Sequence, residues 1–286
     1  MAVYCLGSIN ADHVYSVPHL VAPGETIAAV ELYSGLGGKG ANQSVAAART
    51  GARVVHLGAI GPDGDWAVAR LAAFGIDVSH VARDGAPTGH AIIQVAPDGE
   101  NAIVIYPGAN LRQDMARIEA ALARAGPGDT LLVQNETSAQ VEAARLAAGK
   151  GLRVVYSAAP FDAEAVRAVL PHVSLLALNA VEAGQLAGAL GPLSGPDLVI
   201  THGARGAEWR SGFEEISVPA CAVTPVDTTG AGDCFIGSLA AALDSGAVPR
   251  DALRYAAAAA ALQVTRPGAA DAMPDRAEVE AFLASA

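Results

Sequence analysis

Asp227-Thr228-Thr229-Gly230-Ala231-Gly232-Asp233 runs without a break into Cys234-Phe235-Ile236-Gly237-Ser238-Leu239-Ala240-Ala241-Ala242-Leu243. The first seven residues are small or polar and the next ten are mostly apolar, so the stretch reads as a tight loop opening a helix. A helix N-terminus presents backbone N–H groups that have no partner within the helix. The amides of Gly230, Ala231 and Gly232 would form an anion hole there. Asp233 would stand in the first turn, beside the anion. That arrangement suits phosphoryl transfer: amides and helix dipole stabilise charge on the transferring oxygens, and a carboxylate takes the proton of an attacking hydroxyl. The same spacing also allows Asp233 to be a helix cap and the glycines a simple turn.

Outward from this loop, short β-branched runs alternate with longer alanine-rich stretches, the pattern of βαβ units around a mainly parallel sheet. Strands are expected at residues 3–7, 54–59, 130–134, 153–157, 175–178 and 198–201. Helices are expected at 42–50, 66–74, 113–124, 140–148, 163–170, 180–189, 232–244, 250–265 and 275–284. The six alanines from Ala256 to Ala261 read as a closely packed internal helix. Residues 25–36 and 88–106 break the alternation as extended segments, the second with a hairpin turn at Pro97-Asp98-Gly99. The expected architecture is one α/β domain over residues 1–286, a mainly parallel central sheet flanked by helices. The two extended segments are inserted in it as a small β-sheet lid.

A second glycine cluster, Gly35-Leu36-Gly37-Gly38-Lys39-Gly40, satisfies the letter of a dinucleotide fingerprint. Such a fingerprint follows the first strand of a βαβ unit and has an acidic residue ending the next strand. Here the next strand, VVHLGAIG, ends without one. A phosphate-binding GxxxxGK[ST] is also absent, because Lys39 is followed by Gly40. What remains is a glycine turn opening an alanine-rich helix, whose N-terminus would again offer free amides.

Composition limits the function classes. With 52% hydrophobic and 16% charged residues the chain has the makings of a large core. Its net charge of −11 offers no basic stripe for nucleic acid. Cys5, Cys221 and Cys234 are far apart and form no CxxC pair, so reduced thiols are expected rather than a disulfide or zinc site. The opening MAVYCLGSIN has neither a basic region nor an apolar signal core, and no apolar run reaches the roughly 18 residues of a membrane span. A cytoplasmic protein is expected. The seven histidines have no metal-like spacing, and Trp66 and Trp209 read as packing residues.

Two long motifs at opposite ends of the chain, GGKGANQSVAAARTG (residues 37–51) and DTTGAGDCFIGSLAAAL (residues 227–243), resemble the signature regions of the PfkB carbohydrate-kinase family. The ribokinase branch is the most similar, through GSINADH (7–13), PGET (23–26), DGEN (98–101) and PGAN (107–110), and the similarity runs from about Ala2 to the C-terminus. The resemblance implies an ATP-dependent kinase acting on a sugar primary hydroxyl, D-ribose first, with Asp233 as catalytic base and Gly230, Ala231 and Gly232 as the anion hole. It implies that Asn10, Asp12, Gly38, Lys39, Asn42 and Glu136 hold sugar hydroxyls. Asn179 and Glu182 match an NxxE element that orders Mg2+ and its waters. Thr201, Gly203 and Gly206 match the loop beside the nucleotide. Asp227, Thr229, Gln263 and Gly268 fall where the family binds a monovalent cation, commonly K+, largely through backbone oxygens. A homodimer through the lid is also implied.

Three departures stand out. Ala256 replaces an asparagine that would reach the adenine edge. The stretch between Glu182 and Leu198 is short, with a peripheral helix lost. His90 replaces a small apolar lid residue, and reads either as part of a reshaped sugar pocket or as a lid surface residue. Fructose, a keto-deoxy sugar acid or a nucleoside remain alternative substrates, and a non-catalytic sugar or nucleotide sensor an alternative role.

Overall fold

The computed structural model describes residues 1–193 and 195–285. In chain order the strands are β1 (Ala2–Leu6), β2 (Asn10–Ser16), β3 (Glu31–Gly37), β4 (Arg53–Leu57), β5 (Ala59–Ile60), β6 (Ala82–Arg83), β7 (Gly89–Val95), β8 (Asn101–Tyr106), β9 (Thr130–Gln134), β10 (Arg153–Ser157), β11 (Leu175–Asn179), β12 (Asp197–Thr201), β13 (Ala207–Ser211) and β14 (Glu214–Val218). The α-helices are α1 (Lys39–Arg49), α2 (Asp65–Ala73), α3 (Met115–Leu122), α4 (Gln140–Gly149), α5 (Ala163–Val169), α6 (Ala180–Leu190), α7 (Ala231–Asp244), α8 (Pro249–Gln263) and α9 (Arg276–Ser285).

The central sheet has eight strands in the order β14-β13-β12-β11-β10-β9-β1-β4. From β12 to β4 all neighbours are parallel. Successive residues on a strand point to opposite faces, and on β1 both faces are apolar. Val3 and Cys5 enter the layer shared with α1, α2, α7, α8 and α9. Ala2, Tyr4 and Leu6 enter the layer shared with α3, α4, α5 and α6. Burial on both sides is why the parallel strands read as continuous apolar runs rather than alternating ones. The run expected at 54–59 divides at Gly58 between β4 and β5.

The alanine run lies in α8, which buries Ala252, Ala256, Ala258, Ala259 and Ala261 and packs on α7 and on the β13–β14 edge. Ala256 is fully buried in this layer, so it fills core space in this conformation. The turn from α6 to β12 contains residue 194, which lies outside the described residues. Part of the shortened stretch noted above therefore lies there as well.

Three of the longer strands escape a reading by pattern. β13 and β14 extend the sheet antiparallel beyond β12; their alternation of Ala207 and Trp209 with charged neighbours is short and interrupted by Gly212. β2, whose sequence NADHVYS is largely polar, is an inner strand of the separate four-stranded sheet β3-β2-β7-β8. It is strand by virtue of its neighbours, pairing antiparallel with β3 and parallel with β7. The lid therefore contains a third segment besides the two expected. Within 25–36 only the part from Glu31 onward is strand. The hairpin around Pro97-Asp98-Gly99 is present, closed by Ala96 N donating to Glu100 O at 2.9 Å.

Candidate active site

The N-termini of α1 and α7 converge beyond the carboxyl ends of β1 and β9, where open α/β sheets carry their sites. Close approach makes this convergence feasible. A Cβ on Gly40 would lie 2.3 Å from Gly7 Cα, so the start of α1 crosses the end of β1 with no room for a side chain. A Cβ on Gly237 would lie 2.3 Å from Gln43 O, so α7 lies directly on α1.

Asp233, in the first turn of α7, is buried and held from both sides. Asn42 Nδ2 donates to its Oδ2 at 3.0 Å, and Gln43 Nε2 donates to its Oδ1 at 2.9 Å. Gln134 Nε2, at the end of β9, donates in turn to Gln43 Oε1 at 2.8 Å. Burial raises the Asp233 pKa, and charge from Lys39 with the hydrogen bonds from Gln43 and Asn42 opposes the rise. Asn42 Oδ1 is buried with no protein donor. Its acceptor capacity is not met by any described protein group.

Glu136, just after β9, closes the other helix. Its Oε2 accepts from Lys39 N at 3.0 Å and from the Ser8 hydroxyl. Ser8 Oγ accepts from Gly40 N at 3.3 Å, and Ser8 O from Ala41 N at 2.9 Å. The first amides of α1, expected to be free, are thus satisfied within the protein, with Gly38 as the N-cap residue. The Lys39 ammonium lies 3.8 Å from Glu136 Oε1. Burial works against that charge, but Asp233, Glu136 and Glu182 outweigh it and raise the Lys39 pKa.

Asp12 on β2 reaches in from the lid, its carboxylate lying over Gly37, where a Cβ would meet Asp12 Oδ2 at 2.0 Å. Burial, then Glu136 and Asp233, push its pKa up to about 6. Asn10 is also buried, and its Oδ1 accepts from Asn110 Nδ2 at 2.7 Å. Asn110 Oδ1 accepts from Ile9 N at 3.0 Å, which ties the base of the lid to the end of β1. His90 is turned away. Ala91 is the register partner of Asp12 and His90 that of Ala11, and register partners share a face. The His90 ring lies 5.2 Å from the Tyr106 ring on the face opposite Asp12.

The α7 terminus contrasts with that of α1. Gly230 is its N-cap in the left-handed region, φ 79°, and no cap side chain bonds to it. Gly232 is exposed, with open space where a Cβ would stand. Further along the sheet, Asn179 and Glu182 form a capping box at the start of α6. Asn179 Oδ1 accepts from Val181 N and Glu182 N, both at 2.9 Å, and Glu182 Oε2 accepts from Asn179 N at 2.8 Å. Burial raises the Glu182 pKa and Lys39 counters it. Thr201 is the register partner of Asn179 and leads into the Gly203–Arg205 turn and Gly206. Asp227, Thr229, Gln263 and Gly268 are joined to one another by hydrogen bonds.

Gln43, Gln134, Ser8 and Asn110 were not singled out by sequence as site residues. Gln43 stands within GGKGANQ, Ser8 within GSINADH and Asn110 within PGAN, which are the local signals; Gln134 is placed only by the fold. No cluster of three metal-ligating side chains occurs among the described residues, and no helix among them is long and apolar enough to cross a membrane.

The family model described as pfkB family carbohydrate kinase matches residues 2–276. The ribokinase of Haemophilus influenzae is 39% identical over 298 residues, covering 97% of this chain and 97% of that protein. That of Bacillus subtilis is 34% identical over 293 residues, covering 97% and 98%. Among solved structures, the ribokinase of Thermotoga maritima matches with a TM-score of 0.88 at 33% identity, over 99% of both chains. The Arabidopsis thaliana ribokinase complexed with ribose and ATP matches with a TM-score of 0.87 at 29% identity, also over 99% of both. With both signature motifs at one site and the match spanning nearly the whole chain, this protein belongs to the pfkB family of carbohydrate kinases.

Proposed function

We propose that this enzyme transfers the γ-phosphoryl group of ATP to the primary hydroxyl of D-ribose. The observation that carries the reading is the buried Asp233 carboxylate beside the uncapped N-terminus of α7. The curated relatives named ribokinase support the sugar, as does the solved relative that holds ribose and ATP.

Asp233 accepts the proton of the attacking hydroxyl. Asn42 and Gln43 fix its orientation, and its raised pKa makes it a better base than an exposed aspartate. The amides of Gly230, Ala231 and Gly232 serve the charge that builds on the transferring group, with Ala231 N exchanging its 3.2 Å bond to Thr228 O for the anion. Asn10, Asp12, Asn42 and Glu136 supply acceptors to sugar hydroxyls, and Gly38 and Lys39 line the same wall. Asp12, Glu136 and Asp233 surround a single lysine. This excess of carboxylate suits a neutral polyol and works against a sugar acid.

Glu182 has one carboxylate oxygen engaged in the capping box, and its other oxygen fits a hydrated Mg2+ ion. Such an ion would offset phosphate charge. Thr201, Gly203 and Gly206 line the nucleotide. Free thiols at Cys5, Cys221 and Cys234 suit a cytoplasmic enzyme. The lid exposes Leu32, Tyr33, Ile103, Val104, Ile105 and Tyr106 on its outer strands, an apolar surface that a second copy would cover as a homodimer.

The test is ADP release with MgATP across ribose, deoxyribose, fructose, keto-deoxygluconate and adenosine. Turnover highest on ribose is the expected outcome. Turnover on another member keeps the chemistry and overturns the sugar; ATP binding with no turnover on any member favours a sensor.

A further inference from the structure

We propose that the side-chain amide of Gln263 takes the place of a monovalent cation, so that the anion-hole loop is ordered by the protein alone and turnover is independent of potassium. The inference rests on the kinase reading above. It starts from one nitrogen. Gln263 Nε2, at the end of α8, donates to Thr229 O at 2.8 Å and to Gly268 O at 2.9 Å. Thr229 immediately precedes the anion-hole residue Gly230, and Gly268 lies in the turn after α8.

A cation bound through these carbonyls would need their oxygens to converge on it. They converge instead on a nitrogen that carries two hydrogens, one for each. Gln263 has 0% of its surface exposed, so the amide has no path to swing into solvent and free the position. Its orientation is fixed by chemistry. Turned over, Oε1 would face two carbonyl oxygens with no hydrogen between them. Oε1 is itself buried without a protein donor, which marks the NH2 end as the one that holds the side chain in place.

The remaining polar groups here are also closed on one another. Asp227 Oδ1 accepts from Thr229 N and Oδ2 from Gly268 N, both at 2.8 Å. Val226 N and Asp227 N both donate to Val264 O, at 2.7 and 3.1 Å. Burial pushes the Asp227 pKa up, but the two amides outweigh it and hold the carboxyl below the usual range. The segment before α7 is thus stapled to the segment after α8 by a carboxylate and an amide. The expected cation does not fit this arrangement as it stands. Gln263 is a positioning residue: it touches neither sugar nor phosphate and acts through Thr229 on the amides that follow.

Two variants separate this role from ordinary packing. Gln263→Ala removes the donors and opens space for an ion; Gln263→Met keeps the length and bulk without donors. ADP release is measured with MgATP and ribose in potassium chloride and in tetramethylammonium chloride at equal ionic strength. Wild-type turnover should agree between the two salts within about twofold, and Gln263→Ala in tetramethylammonium should lose about tenfold or more in kcat, with the ribose KM little changed. Potassium should restore most of the loss in Gln263→Ala and none of it in Gln263→Met. Melting curves without substrate give a second readout: potassium should raise the Tm of Gln263→Ala but not of wild type. Activation of wild type by potassium of about fivefold or more would overturn the proposal. So would unchanged kcat in Gln263→Ala, or a folded Gln263→Ala that no potassium restores. Absence of wild-type turnover on every sugar would strike the kinase reading instead, and the melting comparison would still report on the amide.

Discussion

The two helices that open onto the site start in opposite ways. At α1, Glu136 accepts from Lys39 N, and Ser8 accepts from Gly40 N and Ala41 N. At α7, Gly230 provides no side-chain cap and Gly232 faces open space. Both termini carry the same partial positive charge. At α1 a carboxylate of the protein accepts from the first amide. At α7 the Asp233 carboxylate is turned to Asn42 and Gln43 and Ala231 N donates back to Thr228 O at 3.2 Å, and the proposed function gives the rest of that terminus to an anion from outside. Glycine-rich sequence opens both, so composition alone does not tell them apart. In the function proposed above, this difference gives the phosphate to α7 and the α1 side, rich in carboxylate and amide, to the sugar.

The largest effect should come from removing the base at the α7 terminus. Asp233→Asn is expected to lower kcat by about a thousandfold or more and to shift Tm little, since an asparagine fills the same space and one amide flip repairs its bonds. Near wild-type ADP release by this variant would end the assignment. Next is Gly230→Ala, which puts a Cβ 2.9 Å from Ala269 Cβ and a side chain at φ 79°. It should cost about 1–2 kcal/mol of stability and lower kcat more than it raises the ribose KM. A change confined to the ribose KM would mean that α7 faces the sugar after all.

The α1 terminus should respond the other way. Glu136→Ala leaves Lys39 N and the Ser8 hydroxyl without their acceptor. It is expected to cost about 1–2 kcal/mol, read as a lower denaturation midpoint, and to raise the ribose KM more than it lowers kcat. The smallest effect is in pH. The folded protein holds the Asp12 proton more tightly than an unfolded chain does. Burying this carboxyl is therefore without cost below about pH 4, its ordinary range. The cost grows as pH rises and is complete above about 6. The ionised form is the better acceptor for hydroxyls, so the ribose KM should rise a few-fold as pH falls below about 6. Asp12→Asn should flatten that profile and raise stability above pH 6. A profile that stays steep in Asp12→Asn would place the titration elsewhere.

The lid teaches a related lesson about what a sequence displays. Residues 88–106 announce a hairpin through two extended apolar runs on either side of Pro97-Asp98-Gly99, and the hairpin is there. Asn10–Ser16 announces nothing, because its strand state is imposed by β3 on one side and β7 on the other. Its polar residues at 10 and 12 stand on the face that meets the site, and His90 falls on the other face by register alone.

By itself the sequence determined the parallel core strands, whose apolar runs follow from burial on both faces. It also determined the loop at 227–233, which depends on neighbouring residues, and through the family resemblance it singled out Asp233 as the candidate base. Tertiary structure decided which helix terminus is closed, which amides hold Asp233, and where the Gln263 side chain points. Those outcomes depend on contacts across 97 residues for Glu136 and Lys39, 190 for Gln43 and Asp233, and 34 for Gln263 and Thr229. A buried polar group must find a partner wherever the chain brings one. No local pattern records which partner that will be.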